Sequence, residues 1–266
     1  MKEKRARVTE LGRKVSAVTA YLVGGTVTKP STVRRSLRKA LGGILDDRFE
    51  VMGALTPLPP SVIGRIYSRE VVLPPMALLE SGNQNTQGLL FLASLGLVLD
   101  ARSVFEIGTY NGVTAWCLAK NLPHAVIHTL DLPPREQATF DLNEDDIANR
   151  IEFDRRAYET LPHEGTVNQL LGDSARFDFS PWRQACDLIY VDGAHSVDYV
   201  RSDTAAALGM LSSGGAIVWD DYWRLVPSVR DALSEETDLS LWRVPDTRLV
   251  VHLAPGAWER LEGSPS

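Results

Sequence analysis

Ser103-Val-Phe-Glu-Ile-Gly-Thr-Tyr-Asn-Gly112 is an apolar run that stops in a glycine turn. Nineteen residues after Gly112 the next apolar run, Ala125-Val-Ile-His-Thr-Leu-Asp131, ends in an acid. The two read as a βαβ unit. A strand running into a glycine turn and then a helix brings backbone close to a ligand at the strand's carboxyl end, where open α/β sheets bind small molecules. Asp131, at the tip of the neighbouring strand, is placed to accept hydrogen bonds from two ribose hydroxyls, so the expected ligand is a nucleoside.

The glycines that are missing narrow the choice. A dinucleotide site uses G-x-G-x-x-G, with the second glycine admitting a pyrophosphate and the third packing helix on strand. Here those two positions are Tyr110 and Val113. With bulk there, and no nearby Lys or Arg to meet a phosphate, the loop suits a ligand without phosphates.

Outward from this unit the chain alternates strand and helix. Apolar runs place strands near 103–108, 125–131, 167–171, 187–192 and 214–220, then a terminal hairpin near 239–244 and 248–254. That pattern gives an α/β fold with a doubly wound, mostly parallel sheet. Before it, Pro57-Leu-Pro-Pro60 and Pro74-Pro75 interrupt the chain. Residues 1–75 are expected to form a basic, partly helical extension with one amphipathic helix near Ser36–Phe49, and residues 76–266 the sheet domain. The polar stretch Glu80-Ser-Gly-Asn-Gln-Asn-Thr-Gln-Gly88 interrupts a helical lead-in over Met76–Leu97. The connection from Asp131 to Val167 exceeds the few residues typical of such loops. It leaves the carboxyl edge of the sheet, so it either roofs a pocket or is a surface excursion.

Composition bounds the class. With 266 residues, 44% hydrophobic and 23% charged, the chain suits one sizeable soluble domain plus an extension. Two cysteines, Cys117 and Cys186, make no disulfide or metal framework and fit reduced thiols in a cytoplasmic protein. Residues 1–50 carry twelve Lys/Arg and five Asp/Glu, a net of +7; the whole chain is −6, which leaves −13 for the rest. An acidic domain argues against a nucleic-acid substrate. The basic segment is expected to be a solvated arm that packs on the domain or on a second subunit, with contact to an acidic partner or an anionic membrane surface as the alternative. Val15–Val27 is too short and too mixed to span a bilayer.

A second region carries chemistry. Asp187-Leu-Ile-Tyr-Val-Asp-Gly-Ala-His195 and Gly214-Gly-Ala-Ile-Val-Trp-Asp-Asp-Tyr222 each begin as a buried strand and end in acids: Asp192 on one, Asp220 and Asp221 on the next. Adjacent strands lie about 4.8 Å apart, so the three carboxylates should converge at the edge that holds the glycine loop. Crowded carboxylates raise one another's pKa unless a cation neutralises them. A hard divalent ion with oxygen ligands, Mg2+, meets that need. The plainer readings are helix caps: Asp221 for a helix beginning near Val226, and Asp192 for the one after His195.

The pattern Glu106-x-Gly108-x-x-x-Gly112 with the later Asp131 resembles motif I and the ribose acid of class I S-adenosylmethionine-dependent methyltransferases. The acids at 192, 220 and 221 resemble those of the metal-dependent O-methyltransferases, both the catechol type and those acting on sugar hydroxyls of macrolide and aminocoumarin antibiotics. The resemblance covers roughly residues 80–255. It implies a seven-stranded Rossmann-like sheet with an antiparallel C-terminal hairpin, and S-adenosylmethionine held by Glu106, Gly108, Thr109, Tyr110, Asn111, Gly112, Asp131, Asp173, Ser174 and Asp192. It further implies Mg2+ on Asp192, Asp220 and Asp221, His195 as the base three residues beyond the first ligand, and a lid over residues 80–88. His195 and Asp221, where the catechol type has lysine and asparagine, tilt the expectation toward a sugar or glycosylated acceptor. His195 could instead hydrogen-bond and orient Asp192. The remaining readings are a metal-independent N-methyltransferase and a methyltransferase-fold binding or scaffold protein whose basic arm docks a partner; a homo-oligomer is open in either case.

Overall fold

The computed structural model describes residues 55–75, 78, 86–222 and 226–263. The helix expected at 36–49, the basic arm and most of the expected lid lie outside these residues; Thr86–Gly88, its last three positions, are helical. The described helices are α1 (Pro60–Ile66), α2 (Thr86–Leu99), α3 (Val113–Asn121), α4 (Glu144–Asn149), α5 (Ala157–Thr160), α6 (Val197–Met210), α7 (Pro227–Leu233) and α8 (Pro255–Glu262). The strands are β1 (Ser103–Ile107), β2 (Val126–Asp131), β3 (Thr166–Leu171), β4 (Cys186–Val191), β5 (Leu211–Trp219), β6 (Leu241–Arg243) and β7 (Val250–Leu253). They form one sheet in the order β3-β2-β1-β4-β5-β7-β6. β1 to β5 pair in parallel, and β7 runs antiparallel to both β5 and β6.

The central strands are largely apolar because both faces are covered, with Glu106 a buried acid in β1. Along β4, Leu188 and Tyr190 join one core with Val104, Ile127, Val218 and helices α1 to α3 and α8, while Ile189 and Val191 face the other with Phe105, Ile217, Val200 and Val229. This two-residue alternation is what a strand buried on both sides requires. The order reverses at β1 and β4, which share Phe105↔Ile189 as partners. A ligand crevice opens at such a switch point.

Residues 55–75, which the sequence assigns to the extension, pack with the sheet; the compact unit that holds the sheet begins at Leu55. The Leu58 amide donates to the Arg243 carbonyl at 3.0 Å, so the segment lines the outer edge of β6. Leu58, Val62 and Ile66 are buried in the first core. Pro60 does not break this region: it occupies the start of α1, where its missing N–H costs nothing.

Cys117 and Cys186 are both buried and unbridged, and burial pushes their thiols up to about 12 and about 11. They are inert packing groups. Trp219 is a core side chain whose indole donates to Thr204 Oγ1 at 3.0 Å, and the partly buried Trp182 packs edge-on against Phe105. Trp223 lies outside the described residues. Among the described residues no helix is long and apolar enough to cross a membrane.

Candidate active site

β1 delivers its turn to the carboxyl edge through two glycines in left-handed backbone. Gly108 has φ 101°, and a Cβ there would sit 2.0 Å from the Asp192 carbonyl oxygen. Gly112 has φ 75°, caps α3, and leaves room for the Tyr158 ring. The first glycine therefore lets the loop pass against the end of β4, and the second lets the α5 segment close on the loop.

A cleft opens beside this loop. It is lined by Gly108, Thr109, Tyr110 and Asn111 from the loop, Asp131 from β2, Asp173 and Ser174 after β3, and Asp192 and His195 after β4. All but two of the expected cofactor residues thus meet at one cavity. Gly112 lies one turn behind it. Glu106 is buried beneath it, accepting a hydrogen bond from Thr129 Oγ1 at 2.5 Å, and Thr129 in turn contacts Thr109 Oγ1 at 2.6 Å. Burial raises the Glu106 pKa to about 8, so at neutral pH the group is mostly protonated and supports the loop from below.

The long connection after β2 roofs the cleft: Leu132, Leu142, Asp146, Asn149, Arg150 and Ile151 line it. Asp173 ties that roof down, accepting from the Thr139 amide at 2.7 Å, from Tyr199 Oη at 3.0 Å and from the Ala175 amide at 3.0 Å. Burial opposes the Asp173 charge, but these donors hold its pKa below the usual value. Arg156, from the same connection, reaches Asp131 at 2.8 Å and donates from Nε to the Tyr110 carbonyl. Burial raises the Asp131 pKa, against Arg156 and the amides of Thr109 and Tyr110. A cation therefore does stand at the loop, supplied from far away in sequence.

Asp192, Asp220 and Asp221 stand at the adjoining ends of β4 and β5. The Asp220 amide donates to the Val191 carbonyl, which brings the ends of β4 and β5 together. Neither helix-cap reading holds: Ser196 caps α6, and α7 follows Val226 with no side-chain cap. Burial, then the charges of Asp220 and Asp221, pushes the Asp192 carboxyl well above its usual range.

The Mg2+ set implied by the resemblance does not fit this arrangement. Among the described residues, no three His, Cys, Asp or Glu side chains stand together at ligand spacing. A guanidinium faces the acids instead: Arg248 is 2.7 Å from Asp221 Oδ1 and 3.4 Å from Asp220 Oδ2. His195 adds a second cation. Its Nδ1 lies 2.5 Å from Asp146 Oδ1 and its Nε2 2.8 Å from Asp221 Oδ2. Burial works against the imidazolium, but these two carboxylates hold its pKa well above the ordinary value. His195 therefore contacts Asp146 and Asp221, not Asp192.

Residues 105–222 match the family model for a methyltransferase domain. The SAH-bound methyltransferase PaMTH1 of Podospora anserina shares the chain's fold, with a TM-score of 0.50 at 16% identity over 76% of this chain and 99% of that one. Two further similar structures are the O-methyltransferase TomG of Streptomyces achromogenes, in complex with SAM (TM-score 0.46, 19% identity, 79% and 95% covered), and an O-methyltransferase of Bacillus cereus in complex with SAH (0.45, 16%, 82% and 99%). No curated protein matches this chain in sequence.

Asp146, Arg156, Tyr199 and Arg248 complete the site and carry no motif. The signal available for Arg248 was the acid count itself: three converging carboxylates demand a cation, and the chain can supply its own.

Proposed function

We propose that the protein transfers a methyl group from S-adenosylmethionine to a hydroxyl of a small polar acceptor, a sugar or a glycosylated compound. The observation that carries this is the shared cleft: the glycine loop and Asp131, suited to a nucleoside, open onto the same cavity as the His195–Asp146 pair.

Asp131 would bind the ribose hydroxyls, and Asp173 or Ser174 the exocyclic amine of the base. An alkyl hydroxyl is a poor nucleophile at neutral pH and needs a base. Asp146 holds Nδ1 of His195, the same division of labour by which a carboxylate orients an imidazole in other acid–base sites. The reacting nitrogen is then Nε2. His195 must first lose the proton that Asp146 and Asp221 stabilise; it then takes the acceptor's hydroxyl proton as the oxygen attacks the methyl carbon. The carbon–sulfur bond breaks, its electron pair stays on sulfur, and S-adenosylhomocysteine and the methyl ether leave. The roof from the 132–166 connection excludes water and holds donor and acceptor in line.

The test is transfer of labelled methyl from S-adenosylmethionine to a panel of sugar, phenol and amine acceptors. Label on hydroxyl acceptors, lost in His195→Ala, supports the reading. Label confined to amines would replace it with N-methylation, and none on any acceptor, with no cofactor bound, would leave a scaffold.

A further inference from the structure

The register of the sheet places Arg248 opposite the acids. β5 and β7 pair antiparallel, with Trp219↔Val250 as the last partners. One further step sets Asp220 beside Leu249, and the next sets Asp221 beside Arg248. The backbone holds that geometry beyond the strand: the Tyr222 amide donates to the Arg248 carbonyl at 2.9 Å. Asp221 turns through left-handed backbone at φ 56°, a conformation that costs energy in a residue other than glycine. The acidic corner is therefore bent toward Arg248 by main-chain pairing as well as by side-chain attraction.

The chemistry of the pairing is unequal to that of an ion. A guanidinium is planar, always charged and covalently tethered, so it neutralises carboxylates without having to be captured from solution. Asp220 is 5% exposed, and a buried acid left without a cation is costly. A divalent ion would have to evict the arginine fork from Asp220 and Asp221 and leave Arg248, itself mostly buried, without its counter-charges.

We propose that Arg248 is a built-in cation that takes the place of a divalent metal at this acidic edge, so that the methyltransferase works without one. This deepens the proposed function, and rests on it for the role of the edge. The claim about what neutralises the acids is tested without turnover.

The experiment titrates the full chain with Mn2+, read by the electron paramagnetic signal of the free ion, in the wild type, Arg248→Gln and Arg248→Gln/Asp220→Asn. The expected result is no uptake by the wild type below about 1 mM, the upper range for weak oxygen sites. Uptake should be roughly tenfold or more tighter in Arg248→Gln and lost again in the double variant. Wild-type uptake that Asp192→Asn or Asp220→Asn abolishes would overturn the proposal. So would a folded Arg248→Gln that takes up nothing, since the acids would then not be a cation site at all. Circular dichroism checks folding. Should Arg248→Gln fail to fold, the wild-type titration against Asp220→Asn decides alone, silence supporting the proposal and acid-dependent uptake overturning it. SAH titrated into the same wild-type sample reports the methyltransferase reading separately: its failure to bind would count against that reading and not against the Mn2+ result.

Discussion

The Arg156 guanidinium stands 2.8 Å from the Asp131 carboxylate while its Nε holds the Tyr110 carbonyl. One side chain thus opposes the rise that burial gives Asp131 and pins the glycine loop. Removing it leaves a partly buried carboxylate whose pKa burial already raises. Arg156→Ala should weaken SAH binding by about tenfold, the worth of one charge-assisted contact. Asp131→Ala, which deletes the acceptor itself, should weaken it by about 10- to 100-fold. Calorimetry on both variants checks the ranking.

Gly108 and Gly209 should respond to alanine in opposite ways. At Gly108 the new Cβ meets backbone at 2.0 Å in a left-handed conformation, so Gly108→Ala should cost roughly 3 kcal/mol or more and abolish cofactor binding. Gly209 lies in α6 with nothing within 4 Å. There alanine should raise stability by about 0.5–1 kcal/mol. Urea unfolding of the two variants measures the contrast.

His195 and Asp146 should act as a unit. His195→Ala should lower kcat by about 10²- to 10⁴-fold, the usual contribution of a positioned base, while SAH affinity changes little. Asp146→Asn keeps the shape but loses the carboxylate charge that faces Nδ1, so it should also lower kcat, by a smaller factor. The double variant should be no worse than His195→Ala alone. Losses that multiply would show that Asp146 acts elsewhere.

Stability should fall as pH rises from about 5 to about 8 in the ligand-free protein. Burial raises Glu106 from 4.5 to about 8 and Asp203 from 3.8 to about 7. Between the unfolded and folded values the folded state holds the proton that the unfolded chain releases. Each such acid therefore removes stability at up to about 1.4 kcal/mol per pH unit across its window. Melting temperatures over this range should slope downward, and Glu106→Gln should flatten the slope. A profile that rises with pH would contradict these burials.

The sheet was legible because its central strands are largely apolar and its strands end in turns, a signal local to each segment. β5 begins at Leu211, earlier than the expected 214, since Leu-Ser-Ser-Gly-Gly reads as a turn and is strand only by pairing, with Cys186 opposite Leu211 across an irregular register. α1 was hidden by prolines that start it. The cleft's glycine loop and acids were legible as motifs. The roof and the cations were not: Asp146, Arg156 and Arg248 reach the site through tertiary packing, and nothing within a few residues of them marks it. That is why the acids pointed to a metal when the structure sets an arginine against them.

The central claim is that the loop, Asp131 and the roofed cleft hold S-adenosylmethionine. Isothermal titration of the full chain with S-adenosylmethionine, in the wild type and Asp131→Ala, tests it most directly. The account predicts one site per chain in the wild type and affinity lowered by at least about tenfold in the variant. No heat in the wild type, or equal affinity in both proteins, would contradict it.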